Sequence, residues 1–282
     1  MPAGSQKAVV GRVLRPGQDP GEQEDRARRH SIFLTAEWNH LVMFNYAVDP
    51  SLLERHLPGG TELDAFAGTA FVSLVAFEFN NTRLSGIAIP FHRSFEEVNL
   101  RFYVKRGDRR GVTFLRELVP RRAVALVARK FFNENYSSVP MSHCVREEAA
   151  DGIVKAEYSW GAGPARCVME IEAKGEEFLP AEGSQGQFIT EHYWGYAAQA
   201  NGGCLEYEVQ HPRWRIREAM RANFLGDGTR YYGAELGAVL GREPDSAFLI
   251  EGSAVTVFKG SRILCAAAAR DCVRKLCGEG KR

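Results

Sequence analysis

The stretch EEVNLRFYV, residues 96–104, constrains the fold most strongly, because its side chains alternate strictly between two kinds. Apolar residues stand at every second position, and the positions between them carry Glu97, Asn99, Arg101 and Tyr103. A period of two is that of a β-strand, whose successive side chains point to opposite faces of a sheet. The polar face therefore points either to bulk water or into a barrel that handles a small polar molecule.

Short β-prone runs recur along the chain from about residue 33, separated by turn residues. TAFVSLVAFEFN (69–80) is apolar on both sides and is predicted to be a central strand. RGDRRG is predicted to turn residues 96–104 into a hairpin partner, VTFLRELV. Further strands are predicted at GIVKAEYSW, ARCVMEIEA, CLEYEVQHPRW and SAVTVFKG. GAGPAR is predicted to be a turn, since it lacks the third glycine of a dinucleotide-binding loop.

Few stretches are long enough for helices. DPSLLERHLPGG predicts a short helix from Pro50 to about His56, with Asp49 as a possible N-cap. RRAVALVARKFF (121–132) has apolar residues at helical spacing and predicts a second helix that packs on the sheet. ILCAAAARDCVRKLC predicts a C-terminal helix.

The domain organisation follows from these patterns. Residues 1–30 lack apolar periodicity and are predicted to be a disordered arm. No repeat or linker divides residues 31–260, which are predicted to form one domain, followed by a C-terminal helix and tail at 261–282. The expected fold class is mainly β. A large antiparallel β-barrel with a few short helices is favoured, because closure removes exposed strand edges.

Composition excludes several kinds of function. Lys and Arg number 36 against 35 Asp and Glu, so no global charge recruits nucleic acid or an anionic membrane. The apolar runs are far shorter than the roughly 20 residues that span a bilayer. Because the N-terminus resembles no secretory signal, we expect a cytoplasmic protein. The six cysteines form no CxxC pair, which fits reduced thiols and no structural zinc.

Glu97, Asn99 and Arg101 are the first candidate functional residues, since a spacing of two places them on one strand face. Arg101 could hold a carboxylate in a bidentate fork while Glu97 acts as a general acid or base. An enclosed Glu97 carboxylate beside the Arg101 guanidinium would be stabilised by it. The alternative is a solvated outer face that carries a surface ion pair.

Tyr136 and two histidines are further candidates with plain structural alternatives. Tyr136 follows the second predicted helix in a loop, where a tyrosine is usually a half-buried packing residue. His192 and His211, with Glu191 nearby, could be metal ligands, but without a local spacing rule core or surface histidines are the simpler interpretation. No metal is therefore expected. No GxSxG elbow, P-loop or HExxH motif supports a hydrolase or a kinase.

Several stretches together resemble the YqjF-like family, whose pattern is similar to this chain from about Phe33 to Phe258. They are FLTAEWNHLVMFNYAVDPSLLERHLPGGTELDAFAGTAFVSLVAF, EEVNLRFYV, RRGVTFL, FITEHYWGY and EVQHPRW. The resemblance implies the acetoacetate-decarboxylase-like fold, a large antiparallel barrel around a small-molecule cavity. In such a barrel the Glu-bearing strand face points inward, which favours the enclosed placement of Glu97.

The resemblance to the decarboxylases themselves extends through the second predicted helix. Glu97 and Arg129 match a Glu and an Arg of their pattern, and Tyr136 and Ser137 stand where they have a lysine pair. Neither Tyr nor Ser forms an imine with a ketone, so the resemblance does not imply Schiff-base chemistry here. Lys130 is the nearest amine, about a turn and a half earlier on the predicted helix.

Two hypotheses of different classes remain open, with a purely structural role as the fallback. The first is an enzyme that acts on a small carboxylate or oxo-acid by proton abstraction or enolisation, without a cofactor. Its predicted catalytic residues are Glu97, Arg101 and Tyr136. The second is a non-catalytic binding protein or sensor that uses the same cavity. Both predict an acidic small-molecule ligand and allow a homo-oligomer. The predicted ligand-binding residues are Asn99, Arg129, Glu191, Tyr193, His211 and Trp214.

Overall fold

The computed structural model describes residues 31–124, 126, 135–148, 152–200 and 202–263. This part of the chain is mainly β, as predicted, with fifteen strands, three complete α-helices, the start of a fourth at residues 122–124 and one 3-10 turn at Gly163–Ala165. The strands are β1 (Ile32–Val48), β2 (Glu62–Leu63), β3 (Ala70–Leu84), β4 (Ile87–Ala88), β5 (Phe95–Arg106), β6 (Arg109–Val119), β7 (Tyr136–Ser138), β8 (Met141–Glu148), β9 (Ile153–Trp160), β10 (Cys167–Lys174), β11 (Trp194–Ala198), β12 (Cys204–Gln210), β13 (Arg217–Leu225), β14 (Ser246–Phe258) and β15 (Ser261–Ile263). The helices are α1 (Ser51–Glu54), α2 (Gln185–Thr190) and α3 (Thr229–Leu240).

The strands pair in one sheet whose order is β15-β12-β11-β6-β5-β3-β1-β14-β13-β10-β9-β8. β12 also pairs with β14, through Val209↔Val257 and Gln210↔Thr256. The pairings β1-β3-β5-β6-β11-β12-β14 therefore return to β1 and make a ring of seven strands. Pairing is antiparallel except between β6 and β11 and between β6 and β7. β13, β10, β9 and β8 continue from β14 outside this ring.

Strand β5 contains the alternating stretch and lies between β3 and β6, its predicted hairpin partner. Its apolar side chains pack in a core with Tyr158, Trp160 and residues of α3 such as Leu236. The side chains on its other face, from Glu97 to Tyr103, are also buried. The polar face therefore points inward and not to bulk water.

β1 has a bulge in its pairing with β3, and on its other side it lies close to β14 at Gly252. The register with β3 shifts between Asn39 and Val42, and His40 adopts a positive φ of 52°. Gly252 pairs with Asn39 at a φ of 114°, and a Cβ there would lie 1.9 Å from the Trp38 carbonyl oxygen. Only glycine fits this contact, which fixes the strand beside Trp38.

The other sequence predictions have mixed outcomes. α1 lies within the predicted range; Pro50 is its N-cap residue, and Asp49 accepts a hydrogen bond from the Ser51 N–H at 2.9 Å. Residues 122–124 are helical, but most of the second predicted helix lies outside the described residues. So do the N-terminal arm and all but the first residue of the C-terminal helix. That residue, Ile263, pairs with Cys204 in β15, so a helix beginning there is wrong.

Helix α3 was missed because two glycines, at 233 and 237, lower its helical propensity, and Gly233 kinks it with a φ of 81°. No helix in the described part of the chain is long and apolar enough to cross a membrane.

Candidate functional site

The polar face of β5 opens on a cavity of about 190 Å³. Most of the side chains around it are aliphatic or aromatic. The polar ones are Thr82, His92, Glu97, Asn99, Arg101, Glu117, Tyr136 and Tyr207. A mainly apolar cavity with a few convergent polar groups is the usual form of a small-molecule site.

Strand register determines which side chains meet in the cavity. Glu97, Asn99 and Arg101 stand two residues apart on β5, and on β3 their partners are Phe77, Val75 and Ser73. On the other side Asn99 pairs with Glu117 of β6. Tyr136 pairs in turn with Glu117 across the parallel β6–β7 ladder. Tyr136 therefore lies in a strand, and its predicted loop position is wrong.

Glu97 is held by two hydrogen bonds inside this cavity. Its Oε1 accepts from Asn99 Nδ2 at 3.0 Å, and its Oε2 accepts from the Tyr136 hydroxyl at 3.1 Å. The side chain is enclosed, with 3% of the residue exposed. Burial raises the pKa of Glu97 from 4.5 to about 7, against the opposing effect of these two donors. Near neutral pH the group is poised to take up or release a proton.

Arg101 is buried without a carboxylate among the described residues. It is 8% exposed, and its Nη2 lies 3.9 Å from Met43 Sδ. Its guanidinium carbon lies 6.0 Å from the centroid of the Tyr103 ring. No Asp or Glu of the described ranges comes within 4.0 Å of it, so the expected Glu97–Arg101 ion pair does not form. The two are four residues apart on the strand, about 13 Å along it.

A chain of polar groups continues beyond Arg101, away from Glu97. The Tyr103 hydroxyl lies 2.5 Å from Ser73 Oγ, which donates to Asn45 Oδ1 at 2.6 Å. The Tyr103 ring packs at 4.7 Å on that of His192, whose Nε2 lies 3.6 Å from Asp64 Oδ2. Burial lowers the pKa of His192 to about 4, with Asp64 opposing the shift, so this histidine is neutral at pH 7.

Four of the predicted ligand-binding residues, Glu191, Tyr193, His211 and Trp214, do not line this cavity. His211 stacks on Trp214 at 4.0 Å, and Tyr193 lies 4.9 Å from His211. Glu191 accepts a hydrogen bond from Arg213. The group borders the cavity wall at two points. The ring of Trp214 lies 6.1 Å from that of Trp38, and the Tyr193 carbonyl accepts a hydrogen bond from the Val209 N–H at 2.9 Å. A ligand contact for these four residues stays a prediction.

Sequence reasoning missed Glu117 and the aromatic wall. Glu117 is 1% exposed and lines the cavity beside Asn99. In the sequence Glu117 stands in VTFLRELV, the predicted hairpin partner, where nothing distinguished it from a surface charge. Its position opposite the polar face of β5 in that hairpin is the signal that could have identified it. Trp38, Phe77 and Phe79 come from β1 and β3 and pack as a cluster with centroids 5.1 to 5.8 Å apart.

The two residues that stand at the decarboxylase lysine positions, Tyr136 and Ser137, point to different partners. Tyr136 faces Glu97, whereas Ser137 Oγ accepts a hydrogen bond from Arg116 at 3.2 Å. Arg129 and Lys130 lie outside the described residues. None of the described residues that line the cavity is a lysine.

The fold is that of the acetoacetate-decarboxylase-like proteins. The structure of the enduracididine biosynthesis enzyme MppR with bound HEPES buffer superposes with a TM-score of 0.61 at 13% identity, covering 82% of this chain and 87% of that one. The acetoacetate decarboxylase of Legionella pneumophila gives a TM-score of 0.58 at 10% identity, covering 83% and 88%. An acetoacetate decarboxylase-like enzyme from Sphingomonas wittichii RW1 gives 0.57 at 10% identity, covering 83% and 94%.

The chain belongs to the DUF2071 family, described as an uncharacterized conserved protein, whose pattern matches residues 35–253. It is 30% identical over 184 residues to the uncharacterized protein YqjF of Bacillus subtilis (strain 168), which covers 64% of this chain and 74% of that protein. The YqjF-like resemblance seen in the sequence is thereby confirmed.

Proposed function

We propose that the ring of strands is a closed β-barrel whose cavity binds a small organic acid and transfers a proton to or from it. The observation that carries this proposal is Glu97, enclosed on the cavity wall with a pKa of about 7. A general acid or base works best when its pKa lies near the working pH. Perturbed carboxyl groups in clefts are characteristic of functional sites.

Arg101 is the anchor for the acid in this proposal. A buried guanidinium without a nearby carboxylate is costly, and a ligand carboxylate would supply the missing charge and two hydrogen bonds. MppR, which shares the fold at 12% identity, has been seen complexed with pyruvate. That complex supports a small acid as an occupant of this kind of cavity.

The proton transfer that fits these groups is enolisation of an oxo-acid. The Glu97 carboxylate removes a proton from a carbon next to the carbonyl, and the electrons of that C–H bond move onto the carbonyl oxygen. The Tyr136 hydroxyl, which donates to Glu97 in this structure, would donate to that oxyanion. Return of the proton from Glu97 restores the ketone and leaves the enzyme unchanged.

A second candidate function is binding without turnover. Both Glu97 oxygens already accept hydrogen bonds, from Asn99 and Tyr136, so the carboxyl group could also serve as a fixed polar wall. In that role the protein is a carrier or sensor of the same acids.

Isotope exchange separates the two functions. The protein is incubated in D2O with 2-oxobutanoate, 2-oxohexanoate or 2-oxooctanoate, and loss of the C3 proton signal is followed by NMR. An enzyme accelerates exchange, and Glu97→Gln abolishes the acceleration while Glu62→Gln, a substitution at an exposed site, retains it. Binding without exchange establishes the carrier role. If none of the three acids binds and none undergoes exchange, the proposed site is refuted.

A further inference from the structure

The β5 charges Glu97 and Arg101 stand toward one end of the cavity, and the remainder of its wall is mainly apolar, with Thr82, His92 and Tyr207 as polar exceptions. Arg101 pairs with Ser73, and Glu97 pairs with Phe77 four residues along β5. Two residues further the partners are Phe95 and Phe79, whose rings stack at 4.8 Å. The wall thus changes from charged to aromatic over six residues of β5, about 20 Å of strand.

The apolar wall ends in a row of four aliphatic side chains contributed by adjacent strands. Leu34 of β1 pairs with Leu84 of β3 and with Val257 of β14. Val257 pairs in turn with Val209 of β12. All four line the cavity, and we call them the aliphatic row.

The cavity comes close to solvent beside this row. Leu84 pairs with Ile87 in the β3–β4 hairpin, and Ile87 is 70% exposed. Ile89, a lining residue, is 39% exposed, whereas the residues around Arg101 are buried. An acid held at Arg101 therefore directs the rest of its structure past aromatic rings toward the aliphatic row.

We propose that the acid bound by this protein carries an apolar tail of several carbons, which lies along Phe77, Phe79 and Phe95 and ends at the aliphatic row. This inference rests on the proposed function and narrows its ligand class. A two- or three-carbon acid would leave most of the apolar wall without a partner. Contact between the tail and that wall supplies the hydrophobic part of the binding energy.

Straight-chain carboxylates test the tail. Butanoate, hexanoate, octanoate and decanoate are titrated by calorimetry at pH 8, together with the primary alcohols of the same lengths. Burial of one methylene is worth about 0.8 kcal/mol, so the Kd should fall about fourfold per added carbon until the tail fills the cavity. Each alcohol should bind at least about tenfold more weakly than its acid, because it lacks the charge that pairs with Arg101. Arg101→Met should remove that difference.

A narrowed cavity tests where the tail lies. In Val257→Phe the Kd should stop decreasing at a shorter carboxylate than in the wild type. Thr256→Phe places the same ring on the opposite face of β14 and should leave the dependence of Kd on chain length unchanged. If Val257→Phe no longer melts cooperatively, Leu84→Phe narrows the same row from β3. A folded row variant with an unchanged series would overturn the placement of the tail.

The two levels of the proposal fail in different ways. If acids bind through Arg101 but the Kd does not improve with chain length, the tail is refuted and the proposed function stands. If no acid binds more tightly than its alcohol, or if Arg101→Met binds acids as well as the wild type, the acid site itself is refuted.

Discussion

Replacement of Glu97 by glutamine should change how the stability of the protein depends on pH. In the folded state burial holds the pKa of this carboxyl group at about 7, and in the unfolded chain it returns to about 4.5. Between these values the folded protein keeps a proton that the unfolded chain releases. Raising the pH through this window therefore favours the unfolded chain.

The magnitude follows from the two pKa values. Each pH unit between them is worth about 1.4 kcal/mol, so a pKa raised from 4.5 to about 7 removes about 3 kcal/mol of stability as the pH rises. The contribution of Glu97 is complete below about pH 4.5, falls through the window and stays lost above pH 7. Glutamine keeps the shape of the protonated acid and does not titrate. The difference in free energy of unfolding between Glu97→Gln and wild type should therefore change by about 3 kcal/mol from pH 4 to pH 8, in favour of the variant.

Urea denaturation at intervals of half a pH unit measures this difference directly, since all other titrating groups are common to both proteins. Glu62→Gln is the control, because it makes the same substitution at a side chain that is 68% exposed and does not line the cavity. The reasoning would be refuted by a difference between wild type and Glu97→Gln that is constant from pH 4 to pH 8. Such a result would mean that Glu97 ionises in the folded protein as it does in water.

Four further outcomes are expected. Tyr136→Phe removes a donor to the Glu97 carboxylate and should move its pKa further upward, seen by carboxyl ¹³C NMR; an unchanged titration would place the hydroxyl elsewhere. Arg101→Met should melt at or above the wild-type temperature, since it removes a buried charge with no described carboxylate beside it; a loss of several kcal/mol would reveal a partner. Borohydride with acetoacetate or pyruvate should leave no adduct by mass spectrometry, and a trapped lysine would restore a Schiff-base mechanism. A protein that lacks residues 1–30 should still melt in one cooperative transition. If the truncated protein no longer melts cooperatively, the arm is part of the fold.

Local alternation was sufficient to predict β5 and its hairpin with β6. A period of two in side-chain character is a property of consecutive residues, and it persists wherever the strand is placed. Two other local patterns found β3, from a run apolar on both sides, and α1, from its helix start signals at Asp49 and Pro50. Local reasoning failed for α3, because glycines at 233 and 237 conceal the helical pattern.

Alternation alone does not say which face of a strand meets water, because both placements give the same pattern. The sequence left Glu97 and Arg101 open between a solvated surface and a cavity, and only the family resemblance favoured the cavity. The decision came from the tertiary structure, in which β5 lies between β3 and β6 and the side chains of its polar face are buried. Burial is a property of the whole ring, and it is burial that raises the pKa of Glu97.

The partners of the site were likewise decided by tertiary structure. Tyr136 reaches Glu97 across 39 positions of sequence, and Glu117 stands opposite Asn99 through strand register. The Glu97–Arg101 pair expected for an enclosed strand face did not form, because Glu97 is held by Asn99 and Tyr136 while Arg101 lies against Met43 of β1. The sequence by itself determined which residues share a face of β5. The tertiary structure decided what each of them meets, because those contacts depend on how distant strands pair.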